Sequence, residues 1–240
     1  MTLDGTNAGT EDGLMVQTDN GAEIADPRAR HDVRDVRGAL GGSRLLAVPA
    51  VAAEVATLRR CLATAAPSLL EIGFDHGRRL SATAAENPTW VVVGLEVRKH
   101  QVEAIRAWAE THALPNLHAY RLDARSILAG ALDVASLDII EALFPTPWPE
   151  GRARRRLLVE PAFLTDVARA LKPGGLLHIA TDVAWYADLI TTDLANSSDL
   201  EVVPNVVGLA SRPPCSQRSR REWKCEREGL PVYRFTALRR

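Results

Sequence analysis

From residue 65 onward the chain alternates short apolar runs with stretches of helical spacing. Ser68 to Phe74 is almost continuously apolar and bounded by Pro67 and glycines, which predicts a buried strand. A helical stretch to about Glu86 follows, then a second strand over Trp90 to Glu96. Residues 98–112 carry apolar side chains at helical spacing, at Val102, Ile105 and Trp108. A third strand, Leu117 to Leu122, is followed by a short helix, and Ser136 to Phe144 reads as a fourth strand. The stripe Leu157, Leu158, Phe163, Leu164, Val167 and Leu171 predicts a helix over 157–171, stopped by Lys172-Pro173-Gly174-Gly175. Leu176 to Thr181 gives a fifth strand, Ala184 to Leu194 a helix, and the last strands fall near 200–204 and 231–238. Strands this apolar, alternating with helices, belong to a sheet covered on both faces. The expected fold is therefore α/β: a doubly wound, mostly parallel seven-stranded sheet with helices on both faces. Its ligands should sit where the strands end, at their carboxyl termini.

The first 27 residues mix Gly, Asp, Asn and Thr with few large apolar side chains. Such a composition cannot bury enough surface to offset chain entropy, so disorder is expected there. Residues 28–64 form a charged segment leading into a helix at about 49–64, and residues 65–240 make up the main domain. Over the full 240 residues, 46% hydrophobic and 25% charged content is ordinary for a soluble globular enzyme. No apolar run is long enough to span a bilayer, and Asp4, Glu11 and Asp12 are unlike the basic start of a signal peptide, so a cytoplasmic protein without membrane contact is expected. Three cysteines, Cys61, Cys215 and Cys225, lack the paired spacing of a disulfide framework or a zinc site, and no bound metal is expected. The net charge of −1 hides an uneven distribution: residues 211–240 hold nine basic side chains against three acidic ones, and Arg152, Arg154, Arg155 and Arg156 form a second cluster. Clusters of this kind suit either a polyanion contact or a solvated face.

The residues that follow each strand carry the chemistry. After the first comes Glu71-Ile72-Gly73-Phe74-Asp75-His76-Gly77, whose glycines let the backbone bend and approach a ligand, although Asp75 stands where a tighter glycine loop would have a third glycine. Glu96 ends the second strand 19 residues after Gly77, where a carboxylate can accept the hydroxyls of a ribose. That pair suits nicotinamide cofactors and S-adenosylmethionine equally. Asp123-Ala124, after the third strand, places a carboxylate and a small residue where an adenine would lie, and Asp123 is also a good helix N-cap. Together these segments resemble successive cofactor motifs of the class I, Rossmann-like methyltransferases. The resemblance implies S-adenosylmethionine held by Glu71, Gly73, Gly77, Glu96, Asp123 and Ala124, with Glu71 near the methionine end.

After the fourth strand, Phe144-Pro145-Thr146-Pro147-Trp148-Pro149-Glu150 is stiffened by three prolines and runs into the basic cluster. This stretch is similar to the F-P-D-P-W-P-K loop of the bacterial tRNA (guanine-N7) methyltransferases. Leu171 to Gly175, then Ala180-Thr181-Asp182 with Tyr186-Ala187, then Ser219 to Lys224 with Gly229 and Val232, resemble that family's later motifs in the same order. The resemblance covers roughly residues 65–240. It implies methyl transfer to guanine in tRNA, with Thr146 at the reaction centre and Asp182, Ser219, Glu222, Arg152 and Arg155 binding the acceptor. The chain also departs from the family: Thr146 replaces its aspartate, Glu150 its lysine, Ala153 its histidine and Arg221 its phenylalanine, while Ser219 stands for a threonine. The departures leave two other readings open: a relative that methylates a small purine-like molecule, and a protein that binds cofactor or RNA without turnover.

Overall fold

The computed structural model describes residues 49–148, 157–203 and 215–240. The expected disorder of residues 1–27, and the clusters at Glu150 and Arg152 to Arg156, lie outside the described residues.

Helix α1 (Pro49–Leu62) precedes the alternating part of the chain: β1 (Ser68–Ile72), α2 (Arg78–Glu86), β2 (Val91–Leu95), α3 (Lys99–Thr111), β3 (Leu117–Tyr120), α4 (Ala124–Leu128), β4 (Leu137–Leu143), α5 (Pro161–Ala170), β5 (Leu171–Thr181), α6 (Ala184–Ala195), β6 (Leu200–Val202), α7 (Arg220–Glu228) and β7 (Tyr233–Arg239). The strands form one seven-stranded sheet in the order β3-β2-β1-β4-β5-β7-β6. All pairings from β3 to β5 are parallel, and β7 runs antiparallel to both β5 and β6.

Alternation along each strand sorts the core into two layers. Leu70, Val93 and Ile140 point towards α1, α4, α5 and α6, whereas Leu69, Val92 and Ile139 point towards α2 and α3. The second layer has fewer apolar residues because one row of this face is polar. Glu71 pairs with Glu141, Glu141 with His178 and His178 with Thr236 across β1, β4, β5 and β7, and all four are buried. Arg79 of α2 covers this row and forks onto Glu141, with Nη2–Oε1 at 2.7 Å and Nε–Oε2 at 3.1 Å.

Several expected boundaries move for local reasons. Helix α5 begins at Pro161, which supplies the preset φ of a first helical turn, so Leu157 and Leu158 lie before the helix. The Lys172 to Gly175 turn lies inside β5, where the register with β4 slips between Leu137 and Ile139 and Gly174 takes φ +78°. Strand β3 ends at Tyr120, two residues short of the expected Leu122. In α3, Val102 and Ile105 are buried as expected, but Trp108 is 49% exposed and stacks on His112, and Ala109 takes the inner position. The open edge of β3 is blunted by side chains: Arg106 Nε donates to the Ala119 carbonyl at 2.7 Å and Arg121 N–H donates to Glu54.

Tyr186 of α6 is fully buried, and its hydroxyl accepts the Val159 N–H at 3.0 Å. Tyr186→Phe leaves that N–H without its partner, and a loss of about 1–3 kcal/mol is expected, read as a lower urea midpoint at unchanged slope.

Candidate active site

The strand order reverses at β1: β2 and β3 extend the sheet on one side, and the chain then returns to lay β4 on the other. Connections leave the two sides in opposite directions, which opens a crevice at the strand ends. A cavity of about 640 Å³ occupies it. Its wall gathers Glu71, Gly73 and Gly77 after β1, Glu96 after β2, Asp123 and Ala124 after β3, Thr146 after β4, Asp182 after β5 and Ser219 before α7. Sites distant in the sequence therefore meet because each follows a strand of the same sheet.

The loop after β1 is built from left-handed backbone, with φ +72° at Gly73, +49° at Asp75 and +68° at Gly77. A Cβ on Gly77 would stand 2.6 Å from Ile105 Cδ1, so glycine is required for space as well as for φ. Asp75 occupies its position as a non-glycine residue, with its carboxylate 2.9 Å from Arg98 Nη2. On the opposite wall Phe144 holds φ +53°. A bulky side chain in that region costs of the order of 1–3 kcal/mol, and the conformation turns the chain out of β4 into the Pro145–Trp148 loop. Thr146 is exposed there, while Trp148 both lines the cavity and packs on the core.

The carboxylates around the cavity have different surroundings. Glu96 is buried, and its Oε1 accepts from Val97 N, Arg98 N and Arg98 Nε while Oε2 accepts from Arg98 Nη2. Asp123 caps α4, accepting from Arg125 N and Ser126 N, as a helix N-cap should. Glu71 is buried and its Oε2 has no hydrogen-bond partner among the described residues. Burial, reinforced by neighbouring Glu141 and opposed by Arg79, pushes the Glu71 carboxyl up to about 8.

On the β5 side, Asp182 meets Arg221, whose Nε lies 3.1 Å from Oδ2 with Nη2 on the same oxygen. Ser219 caps α7 through its hydroxyl, which accepts from Glu222 N. Glu222 does not reach the cavity wall, and its Oε1 accepts from Arg234. His76 is a loop residue with Nε2 2.8 Å from Arg220 Nη1.

The segment before α7 is pinned to α2. Arg79 Nη1 donates to the Gln217 carbonyl at 3.0 Å, and Ser216 N donates to Glu86 at 2.8 Å. The basic tail is largely matched within the chain: Arg218 meets Glu226, Lys224 and Arg227 meet Glu228, and Arg240 meets Glu201. As described, these cations form ion pairs and not an unopposed polyanion patch.

Sequence comparison decides what the arrangement belongs to. Residues 65–235 match the family model described as "Putative methyltransferase". The chain is 38% identical to the tRNA (guanine-N(7)-)-methyltransferase of Alkalilimnicola ehrlichii, across 72% of this chain and 71% of that one. It is 36% identical to the enzyme of the same name from Halorhodospira halophila, across 69% and 70%. The chain belongs to the tRNA (guanine-N7) methyltransferase family. Members are S-adenosylmethionine-dependent methyltransferases, and so is this protein. Solved structures agree on the fold. The aminoglycoside resistance methyltransferase NpmB1 superposes with TM-score 0.52 at 19% identity, over 78% of this chain and 93% of that one. The 16S rRNA methyltransferase KamB gives 0.51 at 21%, over 77% and 93%.

The cavity suits this cofactor on its own chemistry. Glu71 Oε2 is a buried acceptor without a partner among the described residues, matched to a cationic group, and Gly73 keeps open the space a Cβ would fill. Sequence reasoning missed the arginines: Arg98 on Glu96 and Arg221 on Asp182 line the same wall. Arg98 follows Glu96 by two residues and was open to notice; the pairing of Arg221 with Asp182 spans 39 positions and gave no local signal.

Proposed function

We propose that the protein transfers the methyl group of S-adenosylmethionine to N7 of guanine in tRNA. The supporting observation is one continuous wall that joins Glu71, Glu96 and Asp123 to Thr146, Asp182 and Ser219. The bound cofactor supplies an electrophilic methyl on a sulfonium. In this reading Glu71, Gly73, Gly77, Glu96, Asp123 and Ala124 hold it. Thr146 lines the reaction centre, and Asp182 and Ser219 present the base. Glu222, which stands off the cavity wall braced by Arg234, would meet the acceptor only beyond the cavity, together with Arg152 and Arg155, which lie outside the described residues.

Guanine N7 carries an in-plane lone pair and needs no base to remove a proton before it attacks. The protein's task is mainly orientation, which supplies several kcal/mol in well-aligned reactions. Methylation leaves a positive charge on the purine, which a carboxylate would stabilise. Thr146 offers a hydroxyl without charge, and replacing a well-placed electrostatic partner costs on the order of a hundredfold in rate. A small purine-like acceptor is a second reading, favoured by the internal pairing of the tail cations.

The test is methyl transfer from labelled S-adenosylmethionine to bulk tRNA, with nucleoside analysis and a Thr146→Asp variant alongside. 7-Methylguanosine from the wild-type protein is the expected product, with Thr146→Asp faster by roughly ten- to a hundredfold. Cofactor binding without tRNA product by either protein would sink the tRNA reading. Transfer to free purines that ignores salt would favour the small-molecule one.

A further inference from the structure

Asp182 and Arg221 share the acceptor wall of the cavity. The Asp182 side chain is 11% exposed and that of Arg221 43%. Both arginine nitrogens converge on a single oxygen, Oδ2. Held by Arg221 through one oxygen, the carboxylate retains acceptor capacity, since an ionised carboxylate has about four lone-pair sites. The guanidinium likewise retains donors, because it carries five N–H groups in a rigid fork.

The pair is open on its arginine side, where an acceptor in the cavity can share the guanidinium donors that Asp182 does not use. A base that reaches the carboxylate therefore meets the guanidinium beside it. A lone carboxylate reads only N–H donors. A carboxylate with an adjacent arginine reads a donor and an acceptor side by side, and in a purine that combination is a 6-oxo group next to N1–H.

We infer that Arg221 and Asp182 act as one composite recognition edge, with Arg221 determining specificity for 6-oxopurines through the ring carbonyl. The inference rests on the proposed guanine acceptor and extends it to a residue at which this chain departs from the family pattern. It assigns the discrimination to the carbonyl, not to the exocyclic amine at C2.

The test uses transcripts of the tRNA that the wild-type protein methylates, carrying guanine, hypoxanthine or 2-aminopurine at the acceptor position. All three keep N7; hypoxanthine keeps the carbonyl and N1–H, and 2-aminopurine lacks both. The wild-type protein should accept hypoxanthine within about tenfold of guanine and lose about a hundredfold on 2-aminopurine, the ratio a charge-assisted hydrogen bond supports. Arg221→Met should lower kcat/KM for guanine by about ten- to a hundredfold and collapse the guanine to 2-aminopurine ratio to within about tenfold. Its cofactor affinity and urea midpoint should match the wild type, which separates recognition from folding. Arg221→Lys should restore part of the ratio. Two results would overturn the inference alone: an unchanged ratio in Arg221→Met, or hypoxanthine as poor as 2-aminopurine with the wild-type protein. No transfer to the guanine transcript by the wild-type protein would overturn the guanine reading, and this inference with it.

Discussion

Arg79→Met is expected to destabilise the protein by about 3–5 kcal/mol, the usual consequence of removing one partner from a buried ion pair. Arg79 is 3% exposed and Glu141 is fully buried, joined by three hydrogen bonds of 2.7 to 3.1 Å. Without the guanidinium, Glu141 would be left desolvated beside Glu71, its register partner on β1. Glu71 already holds its proton at neutral pH, so the cost falls on Glu141, a buried carboxyl left without its cationic partner. For a chain of this size about 2–4 °C of melting temperature accompany each kcal/mol, so a drop on the order of ten degrees is expected. Arg79→Met combined with Glu141→Met removes both charges and should recover most of the loss, because apolar replacements of buried pairs are often neutral. A single-variant loss below about 1 kcal/mol would show that water reaches Glu141 and that the row is less dry than described. The single variant also loses the contact from Nη1 to the Gln217 carbonyl. Acceptor KM should therefore rise more than cofactor affinity falls, since Gln217 leads directly into Ser219 and α7.

This pair also shows where sequence reasoning stops. The strand–helix alternation was readable because continuous apolar runs and helical stripes are local signals, and the residues that line the cavity could be placed because each immediately follows a strand. Arg79 gave no such signal: on an amphipathic helix an arginine reads as solvent-facing, and only the register Glu71–Glu141–His178–Thr236 shows that this helix covers a polar row. Trp108 failed in the opposite sense. Helical spacing placed it with the core, but it sits a step from the buried Ala109, and stacking on His112 lets it remain outside. The tail suffered the same limit, since its cation count was visible but not the carboxylates, such as Asp182 and Glu201, brought to it by tertiary folding. Local pattern gives elements and their order; long-range ionic partners depend on strand register.

Cofactor binding is expected to release a proton from Glu71 and to strengthen as pH rises towards 8. The carboxyl is pushed up to about 8, first by burial and then by Glu141, so it holds a proton at neutral pH in the unliganded protein. For stability the sign is fixed by where the proton resides. Between the ordinary value of 4.5 and about 8 the native state binds a proton that the unfolded state has released. The contribution is fully present below 4.5 and is lost as pH rises through about 8. Glu71→Gln keeps the neutral form at all pH values, so its stability relative to the wild type should rise from pH 4.5 to about 8 and level off above. The groups around Glu71 do not reverse this. Arg79 stays charged and holds Glu141 as its partner, and burial drives His178 below its usual range, so it is already neutral near pH 7. In the proposed site Glu71 faces the cationic methionine end of the cofactor, which favours the carboxylate and expels the proton. Affinity should then improve by up to about tenfold per pH unit below the shifted value and level off above it. Calorimetry of S-adenosylmethionine binding at pH 7, in buffers of different ionisation enthalpy, should show close to one proton released by the wild-type protein and none by Glu71→Gln. Binding that is flat from pH 6 to about 8.5 with no proton release would mean that Glu71 is already ionised in the empty site, with Arg79 outweighing burial and Glu141.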